Sequence, residues 1–227
     1  MVETDVESVT VTEDEDVLVI ELDRPDKRNA LNVELITSLR DLLSELNDDP
    51  QHGILLTGNG SVTTAGADTA IVGGDDERRK RELIEGINEV YEQLEAYPRP
   101  TVMAAKGGAV GAGFQLAMVC DFTVAGEETK LLKPEIKYGV TSGYSTAMLE
   151  TAVGGNIARE IALKGDAIQP ERALEWGIVS DVVPEANVED RARKLLDQLV
   201  DYDPSAYAKT KEVLRSGIER DEFENYP

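Results

Sequence analysis

The chain has 227 residues, and 41% of them are hydrophobic, which suits one medium domain with a real core and excludes a disordered acidic chain. Asp and Glu number 45 against 23 Lys and Arg, so the formal net charge is −22. Surfaces that bind nucleic acid or anionic membranes need a basic excess, so this balance argues against both. A single cysteine, Cys120, excludes an internal disulfide framework.

The acidic residues are spread along the whole chain rather than gathered in one block. This distribution is typical of a halophilic cytoplasm, where salt screens charge repulsion over a short range; an ordinary acidic protein is the alternative. The first 16 residues lack the apolar segment of a signal peptide. The longest uncharged run, 107–120, is shorter than the roughly 20 residues of a spanning helix. We therefore expect a soluble, cytoplasmic protein.

The hydrophobic pattern of the first half predicts strands that alternate with amphipathic helices. An apolar, β-branched run at 17–23 predicts a strand, with 6–12 as its hairpin partner across the acidic turn 13–16. Pro25 ends this strand because proline has no N–H for the ladder. Asn32 follows as a predicted N-cap. The other predicted elements of this half are a helix at 35–46, a strand at 53–57, a helix at 83–94 stopped by Pro98, strands at 101–105 and 119–125, and a short helix at 114–118.

Beyond residue 140 the same patterns predict a region that is mainly helical. Strands that alternate with helices indicate an α/β fold with largely parallel pairing. We therefore divide the chain into a strand-and-helix core at 1–140 and a helical region at 141–227 of the same domain unit. The helices predicted in the second region lie at 142–152, 156–164, 170–176, 188–200 and 204–217.

Histidine and cysteine, two residue types that often carry chemistry, occur once each. His52 lies in a loop before a strand, without the second histidine or the CxxC pair that a metal site needs and without the partners of a Ser-His-Asp triad. Cys120 lies in an apolar stretch and is best interpreted as a small buried residue. The sequence therefore predicts no metal centre and no mechanism based on histidine or cysteine.

A glycine-rich segment at 107–113 follows a predicted strand and opens a predicted helix. Its spacing fails the dinucleotide fingerprint because Leu116 occupies the third glycine position. Glycines at such a place let backbone N–H groups approach an anion. A second small-residue turn, 65–68, offers another N–H donor, and two backbone donors from two loops can form an oxyanion hole. Glu135, which follows a short apolar run, is a weaker candidate because the chain has 45 acidic residues.

Several short segments occur in a fixed order along roughly residues 6–215, and the ordered set is far more specific than any one segment. They are RPDKRNAL at 24–31, LLTGNG at 55–60, AGAD at 65–68, RPTVMAA at 99–105, GAGFQLA at 111–117, CD at 120–121, PEI at 134–136 and the glycine at 139. Together with the helical run 153–179, this set resembles the crotonase superfamily, the enoyl-CoA hydratase/isomerase family.

The resemblance implies a crotonase-like spiral of ββα units with a helical C-terminal region, assembled as a homotrimer or a dimer of trimers. It implies an acyl-CoA thioester as substrate and no cofactor, since coenzyme A is part of the substrate. The N–H groups of Ala67 and Ala112 would hold the thioester carbonyl oxygen. Lys27 and Arg28 would meet the phosphate-rich CoA nucleotide, which suits two cations. The other substrate-binding positions that it implies are Ala65, Asp68 and Gly111.

The resemblance also identifies a departure in the catalytic pair. Hydratases of the family use two glutamates about 20 residues apart to hold and activate one water; here the second position is Glu135 and the first is Gln115. A glutamine can hydrogen-bond a water but cannot exchange a proton with it. Family isomerases use one glutamate at the second position. The resemblance therefore implies that Glu135, in a desolvated setting, moves a proton from C2 to C4 of a 3-enoyl thioester, with Gln115 as a polar orienter.

Two alternatives stay open at this stage: a hydratase in which Gln115 holds the water, and a non-catalytic acyl-CoA-binding paralogue. Family members have a further helix after the region that matches 204–217, whereas this sequence stops at Tyr226 and Pro227. Phe114, Tyr138 and Tyr144 are candidates for the acyl pocket, with aromatic core packing as the alternative.

Overall fold

The computed structural model describes residues 8–216, apart from the side chains of Tyr144 and Ser216. Its strands are β1 (Val9–Asp14), β2 (Val17–Leu22), β3 (Gly53–Gly58), β4 (Thr101–Ala105), β5 (Gly108–Val110), β6 (Phe122–Gly126), β7 (Lys130–Leu132) and β8 (Asp181–Val183). One six-stranded sheet has the order β1-β2-β3-β4-β6-β8, in which β1 and β2 are antiparallel and the other pairs are parallel. Strands β5 and β7 pair in parallel as a separate small sheet.

Helices fill the connections between these strands and make up most of the second half. They are α1 (Val33–Asp48), α2 (Thr69–Val72), α3 (Glu77–Ala96), α4 (Ala112–Val119), α5 (Gly143–Val153), α6 (Gly155–Lys164), α7 (Pro170–Glu175), α8 (Val188–Val200) and α9 (Pro204–Ser216). Strands in largely parallel pairing, connected by helices, confirm the predicted α/β class.

The six-stranded sheet is buried on both faces, because successive side chains of a strand point to opposite sides. In β4, Met103 and Ala105 belong to the main core that α1, α3 and α4 also build, whereas Val102 and Ala104 belong to a second core covered by α8. This arrangement explains why β4 is a continuous apolar run rather than an alternating one.

The predicted boundaries hold where a capping residue sets them. The Asn32 side chain accepts a hydrogen bond from the Leu35 N–H at 3.0 Å, which confirms it as the N-cap of α1. Helix α3 stops at Ala96, two residues before Pro98, since the residue that precedes a proline is pushed out of the helical region.

Two predicted strands have wrong bounds, and several elements were missed. Strand β1 continues to Asp14, so residues 13–14 of the predicted acidic turn belong to the strand. Residues 119–121 were predicted as strand, but Val119 ends α4 and Cys120 caps it. An all-round apolar helix gives no amphipathic period, so its end cannot be separated from the next strand by pattern. Helix α2 and strands β5, β7 and β8 are three or four residues long, too short for periodicity to register. Residues 6–7 of the predicted hairpin, residue 217 of the last helix, Tyr226 and Pro227 lie outside the described residues.

Because β3 and β4 run in parallel, the segments that follow them leave the sheet at the same edge. Those segments carry the two small-residue turns of the predicted oxyanion hole. The division of the chain at residue 140 stays a prediction, although β8, from the second part, pairs with β6 of the first. Among residues 8–216, no helix is both long enough and apolar enough to cross a membrane.

Candidate active site

The two small-residue turns pack directly against each other. Gly66 has φ of +83°, and a Cβ built on it would lie 2.2 Å from the Val110 carbonyl oxygen and 3.3 Å from the Ala112 nitrogen. Only a residue without a side chain fits at this approach. The turn that carries Ala67 is thereby held beside the start of α4, where Ala112 is the first residue.

The N–H groups of Ala67 and Ala112 are both available to a ligand. Leu31 binds the groups on either side of Ala67, donating its N–H to the Gly66 carbonyl and accepting from the Asp68 N–H, each at 2.8 Å. Within residues 8–216, the Ala67 N–H itself donates to no other group. Ala112 opens α4, and the first N–H groups of a helix have no partner inside it. Two adjacent, unpaired backbone donors are what an oxyanion hole requires.

Replacing Gly66 with Ala is expected to separate these two turns. The new methyl group would collide with the Val110 carbonyl, and a left-handed φ already costs an L-residue roughly 1–2 kcal/mol. We expect the free energy of unfolding, measured with urea, to fall by more than about 2 kcal/mol, with loss of activity in the folded fraction. Gly177→Ala is the control, since Gly177 also has a positive φ, +73°, but open space around it. Equal losses in both variants would show that the close approach at Gly66 does not matter.

A buried asparagine ties the first turn to its surroundings. Asn29 is fully buried in the left-handed region, with φ of +53°. Its Nδ2 donates to the carbonyls of Asn59 and Val62 at 2.9 and 2.8 Å, and its Oδ1 accepts from the Arg24 N–H at 2.8 Å. Its own carbonyl accepts from Thr64 Oγ1 at 2.7 Å. Asn29 lies in the segment RPDKRNAL, but the sequence indicates no role for it, because all these partners come from loops.

Asn29→Ala is expected to lower the free energy of unfolding by about 3 kcal/mol. The change leaves the two carbonyls at Asn59 and Val62 without their donor, and each buried unpaired group costs roughly 1–3 kcal/mol. Urea unfolding measures the loss, with exposed Asn156→Ala as the control, for which we expect a change below about 0.5 kcal/mol. A similar small change at Asn29 would contradict this account of the turn.

A tyrosine from α3 supports the second turn. The Tyr91 hydroxyl donates to the Ala112 carbonyl at 2.9 Å, and the side chain is 2% exposed. This contact holds the N-terminal end of helix α4, where Ala112 lies, in place. The apolar stripe of α3 placed Tyr91 in the core, but the helical period says nothing about where its hydroxyl group points.

Glu135 and Gln115 each present a buried oxygen that has no hydrogen-bond partner among residues 8–216. Gln115 is 1% exposed; its Nε2 donates to Met148 Sδ at 3.1 Å, while its Oε1 has no partner among the described residues. The Oε2 of Glu135 is likewise buried and unpaired. Its Oε1 lies 3.6 Å from the position of a Cβ on Gly111, the residue before Ala112. The carboxylate therefore lies beside the start of α4, where the candidate oxyanion donors meet.

A buried lysine that sequence analysis missed lies behind the glutamate. Lys133 Nζ is 3.4 Å from Glu135 Oε1 and donates to Ser145 Oγ at 2.6 Å. Burial lowers the pKa of Lys133, and the neighbouring Glu135 carboxylate offsets part of that shift. The available signal was a lysine inside an otherwise apolar stretch two residues before a candidate catalytic carboxylate.

The predicted substrate contacts lie around the first turn. The side chains of Lys27 and Arg28 are exposed, and neither forms an ion pair with any residue from 8 to 216. The Arg28 carbonyl accepts from the Ala65 N–H at 2.9 Å, so the basic segment and the turn are joined through their backbones. Asp68 caps α2 by accepting from the Ala70 N–H. Its carboxylate also pairs with Arg24 at 3.4 Å, so its charge is already balanced.

The remaining candidate residues are not part of the site formed by the two turns, Gln115 and Glu135. Cys120 is buried, and burial raises its pKa to about 12, which keeps the thiol protonated and inert. His52 is partly exposed, 3.5 Å from Glu13. Phe114 belongs to the core, and Tyr138 is 75% exposed. The side chain of Tyr144 is outside the described part of the structure, in which no cluster of His, Cys, Asp and Glu could hold a metal ion.

Comparison with known proteins identifies the family of this chain. The family model for enoyl-CoA hydratase/isomerase matches residues 12–226. The 2,3-dehydroadipyl-CoA hydratase of Escherichia coli is 33% identical over 92% of this chain and 82% of that protein, and the crotonyl-CoA hydratase of Syntrophomonas wolfei is 29% identical over 95% and 84%. The crystal structure of enoyl-CoA hydratase from Bacillus anthracis superposes with a TM-score of 0.88, at 29% identity, over 92% of this chain and 83% of that one. The chain is therefore an enzyme of the enoyl-CoA hydratase/isomerase family, with the crotonase fold.

Proposed function

We propose that the enzyme moves the double bond of a 3-enoyl-CoA thioester to the 2-position, with Glu135 as the single base. The observation that carries this proposal is the chemistry of the two buried oxygens of the candidate site that have no hydrogen-bond partner among the described residues. One belongs to a carboxylate, Glu135 Oε2, and the other to an amide, Gln115 Oε1. An amide oxygen accepts hydrogen bonds but does not take up a proton at neutral pH. One proton acceptor is sufficient for double-bond migration.

The proposed reaction has two proton transfers through one enolate. Glu135 Oε2 removes a proton from C2, and the C–H electron pair moves into the thioester as the carbonyl oxygen becomes an oxyanion. The N–H groups of Ala67 and Ala112 stabilise this oxyanion, and one such donor is typically worth about 10²- to 10³-fold in kcat. The carbonyl then re-forms as the C1–C2 electrons of the enolate shift to make the C2–C3 double bond, and the C3–C4 π electrons take the proton back from Glu135 at C4. Gln115 orients the substrate through its oxygen.

The thioester class follows from family membership and from local charge. Coenzyme A carries phosphate groups, which a protein of net charge −22 repels at long range. The exposed cations Lys27 and Arg28, unpaired within the described residues, offer a local site for those phosphates. This chemistry needs no cofactor beyond the coenzyme A of the substrate. On the basis of the family resemblance, we also propose that the enzyme is a homotrimer or a dimer of trimers. On the basis of the spread acidic charge, we propose that it functions in a cytoplasm of high salt concentration.

Hydration of a 2-enoyl-CoA is the second candidate. Gln115 Oε1 and Glu135 Oε2 are both acceptors, and a water molecule has two O–H groups, so one water could donate to both. The names of the two curated relatives, both hydratases, favour this alternative. This alternative lacks a second carboxylate, which should lower the rate of hydration, since general acid–base assistance is typically worth about 10²- to 10⁴-fold.

The product from a 3-enoyl-CoA tests the proposal. We expect the wild-type enzyme, in molar KCl, to convert it into the 2-enoyl isomer, identified by the vinyl proton signals in NMR. Turnover of the matching 2-enoyl-CoA to the 3-hydroxyacyl-CoA, with no conversion of the 3-enoyl-CoA, would favour the hydratase alternative. Binding of both thioesters without turnover of either would contradict both candidates and favour a non-catalytic acyl-CoA-binding role.

A further inference from the structure

Lys133 is buried where a lysine is unusual. Its relative exposure is 3%, whereas lysines are almost never fully buried without a partner. Removing an ammonium group from water costs several kcal/mol unless charges and hydrogen bonds compensate. The position of a buried lysine beside a candidate catalytic carboxylate therefore indicates a functional role for it.

The ammonium group connects Glu135 to a serine pair on α5. Lys133 Nζ donates to Ser145 Oγ at 2.6 Å, and Ser145 Oγ donates to Ser142 Oγ, at the N-cap of α5, at 2.8 Å. On its other side, Nζ lies 3.4 Å from Glu135 Oε1. Ser145 is itself buried, so this chain of contacts has little freedom to move.

These contacts make the two oxygens of Glu135 unequal. Oε1 faces the ammonium group, whereas Oε2 is buried and has no partner among residues 8–216. We propose that Lys133 is a positioning residue, which holds Glu135 through Oε1 and so presents Oε2 to the substrate. This inference rests on Glu135 being the base of the proposed function.

The other charged groups around Glu135 are engaged elsewhere. Lys137, on the short turn at 135–138 that also carries Glu135, pairs with Asp166 at 2.6 Å. On α6, which packs against this turn, Glu160 pairs with both Lys164 and Arg172. The remaining charged residues of α5 and α6 are Glu150 and Arg159, and both are exposed. Across the described residues, Lys133 is thus the cation within ion-pair distance of Glu135.

Lys133→Met tests this role, because methionine keeps the length of the side chain and removes its charge. We expect kcat to fall about 10- to 100-fold, as for a catalytic group that loses its orientation, with KM changed less than about twofold. The double variant with Glu135→Gln should be no slower than Glu135→Gln alone, because Lys133 acts on the reaction only through Glu135. Lys133→Arg, which keeps the cation, should restore most of kcat.

Lys137→Met is the matched control, with the same change at an exposed lysine two residues beyond Glu135. Its kcat should stay within twofold of the wild type. If Lys133→Met does not fold, Lys133→Gln provides the same loss of charge while keeping a hydrogen bond to Ser145. A folded Lys133 variant with kcat within twofold of wild type would overturn the inference.

A second measurement separates this inference from the proposed function. The free energies of unfolding of Lys133→Met, Glu135→Gln and the double variant form a double-mutant cycle that measures the contact between the two side chains. We expect the two changes to be coupled rather than additive, whatever reaction the enzyme catalyses. Additive losses would contradict the role of Lys133 alone, whereas absence of isomerisation in the wild type would contradict the proposed function alone.

Discussion

Glu135→Gln is expected to lower kcat for double-bond migration by about 10²- to 10⁴-fold, the usual worth of general acid–base catalysis. Glutamine has nearly the same shape but cannot accept the C2 proton. The proposed oxyanion donors at Ala67 and Ala112 stay in place, so KM should change little. Steady-state kinetics with a 3-enoyl-CoA measures both constants.

The same change also removes the counter-ion of Lys133, so stability must be measured beside activity. Urea unfolding of the variant shows whether a folded enzyme was assayed. Glu175→Gln, at the exposed end of α7, makes the same chemical change away from the site and should leave kcat unaltered. A folded Glu135→Gln variant that keeps more than a tenth of wild-type kcat would show that another group moves the proton.

Gln115→Glu is expected to raise the rate of 2-enoyl-CoA hydration by about 10²-fold or more. The change places a second carboxylate at the position where hydratases of the family have one. Its oxygen replaces the unpaired Gln115 Oε1, so one water could be held and deprotonated between two carboxylates. Hydration is followed by the loss of absorbance of the conjugated thioester.

The gain in hydration activity should come with a loss of stability, which provides an internal check. Gln115 is 1% exposed, and a second buried carboxylate near Glu135 adds desolvation and like-charge repulsion. We therefore expect lower stability together with higher hydration activity. Gln93→Glu, the same change on α3, controls for added charge. A folded Gln115→Glu enzyme with unchanged hydration would mean that the identity of this residue does not separate hydration from isomerisation.

The parts of the fold that depend on local signals could be predicted from the sequence. Helix α1 has both an N-cap at Asn32 and an apolar stripe, and its bounds agree with the pattern within two residues. The strand that becomes β3 was recognised from its apolar run between turn signals. The end of α4 was not, because Val119 and Cys120 continue an apolar run with no change of period.

Only part of the candidate site could likewise be predicted from local sequence signals. The ordered motifs were enough to select Ala67, Ala112 and Glu135, which the structure places around the start of α4. The contacts that hold them were beyond sequence reasoning. Tyr91 reaches Ala112 across 21 positions, and Asn29 reaches Val62 across 33. Such pairings depend on how distant segments pack, and no period or spacing in one sequence encodes them.

The ratio of two rates of the wild-type enzyme tests the central claim most directly. We would measure kcat/KM for migration of the double bond in a 3-enoyl-CoA and kcat/KM for hydration of the matching 2-enoyl-CoA, in the same molar KCl buffer. A single proton-transferring carboxylate, Glu135, predicts that migration is faster than hydration by at least about 10²-fold. Hydration equal to or faster than migration would contradict the account, because it would show that Gln115 and Glu135 together activate water.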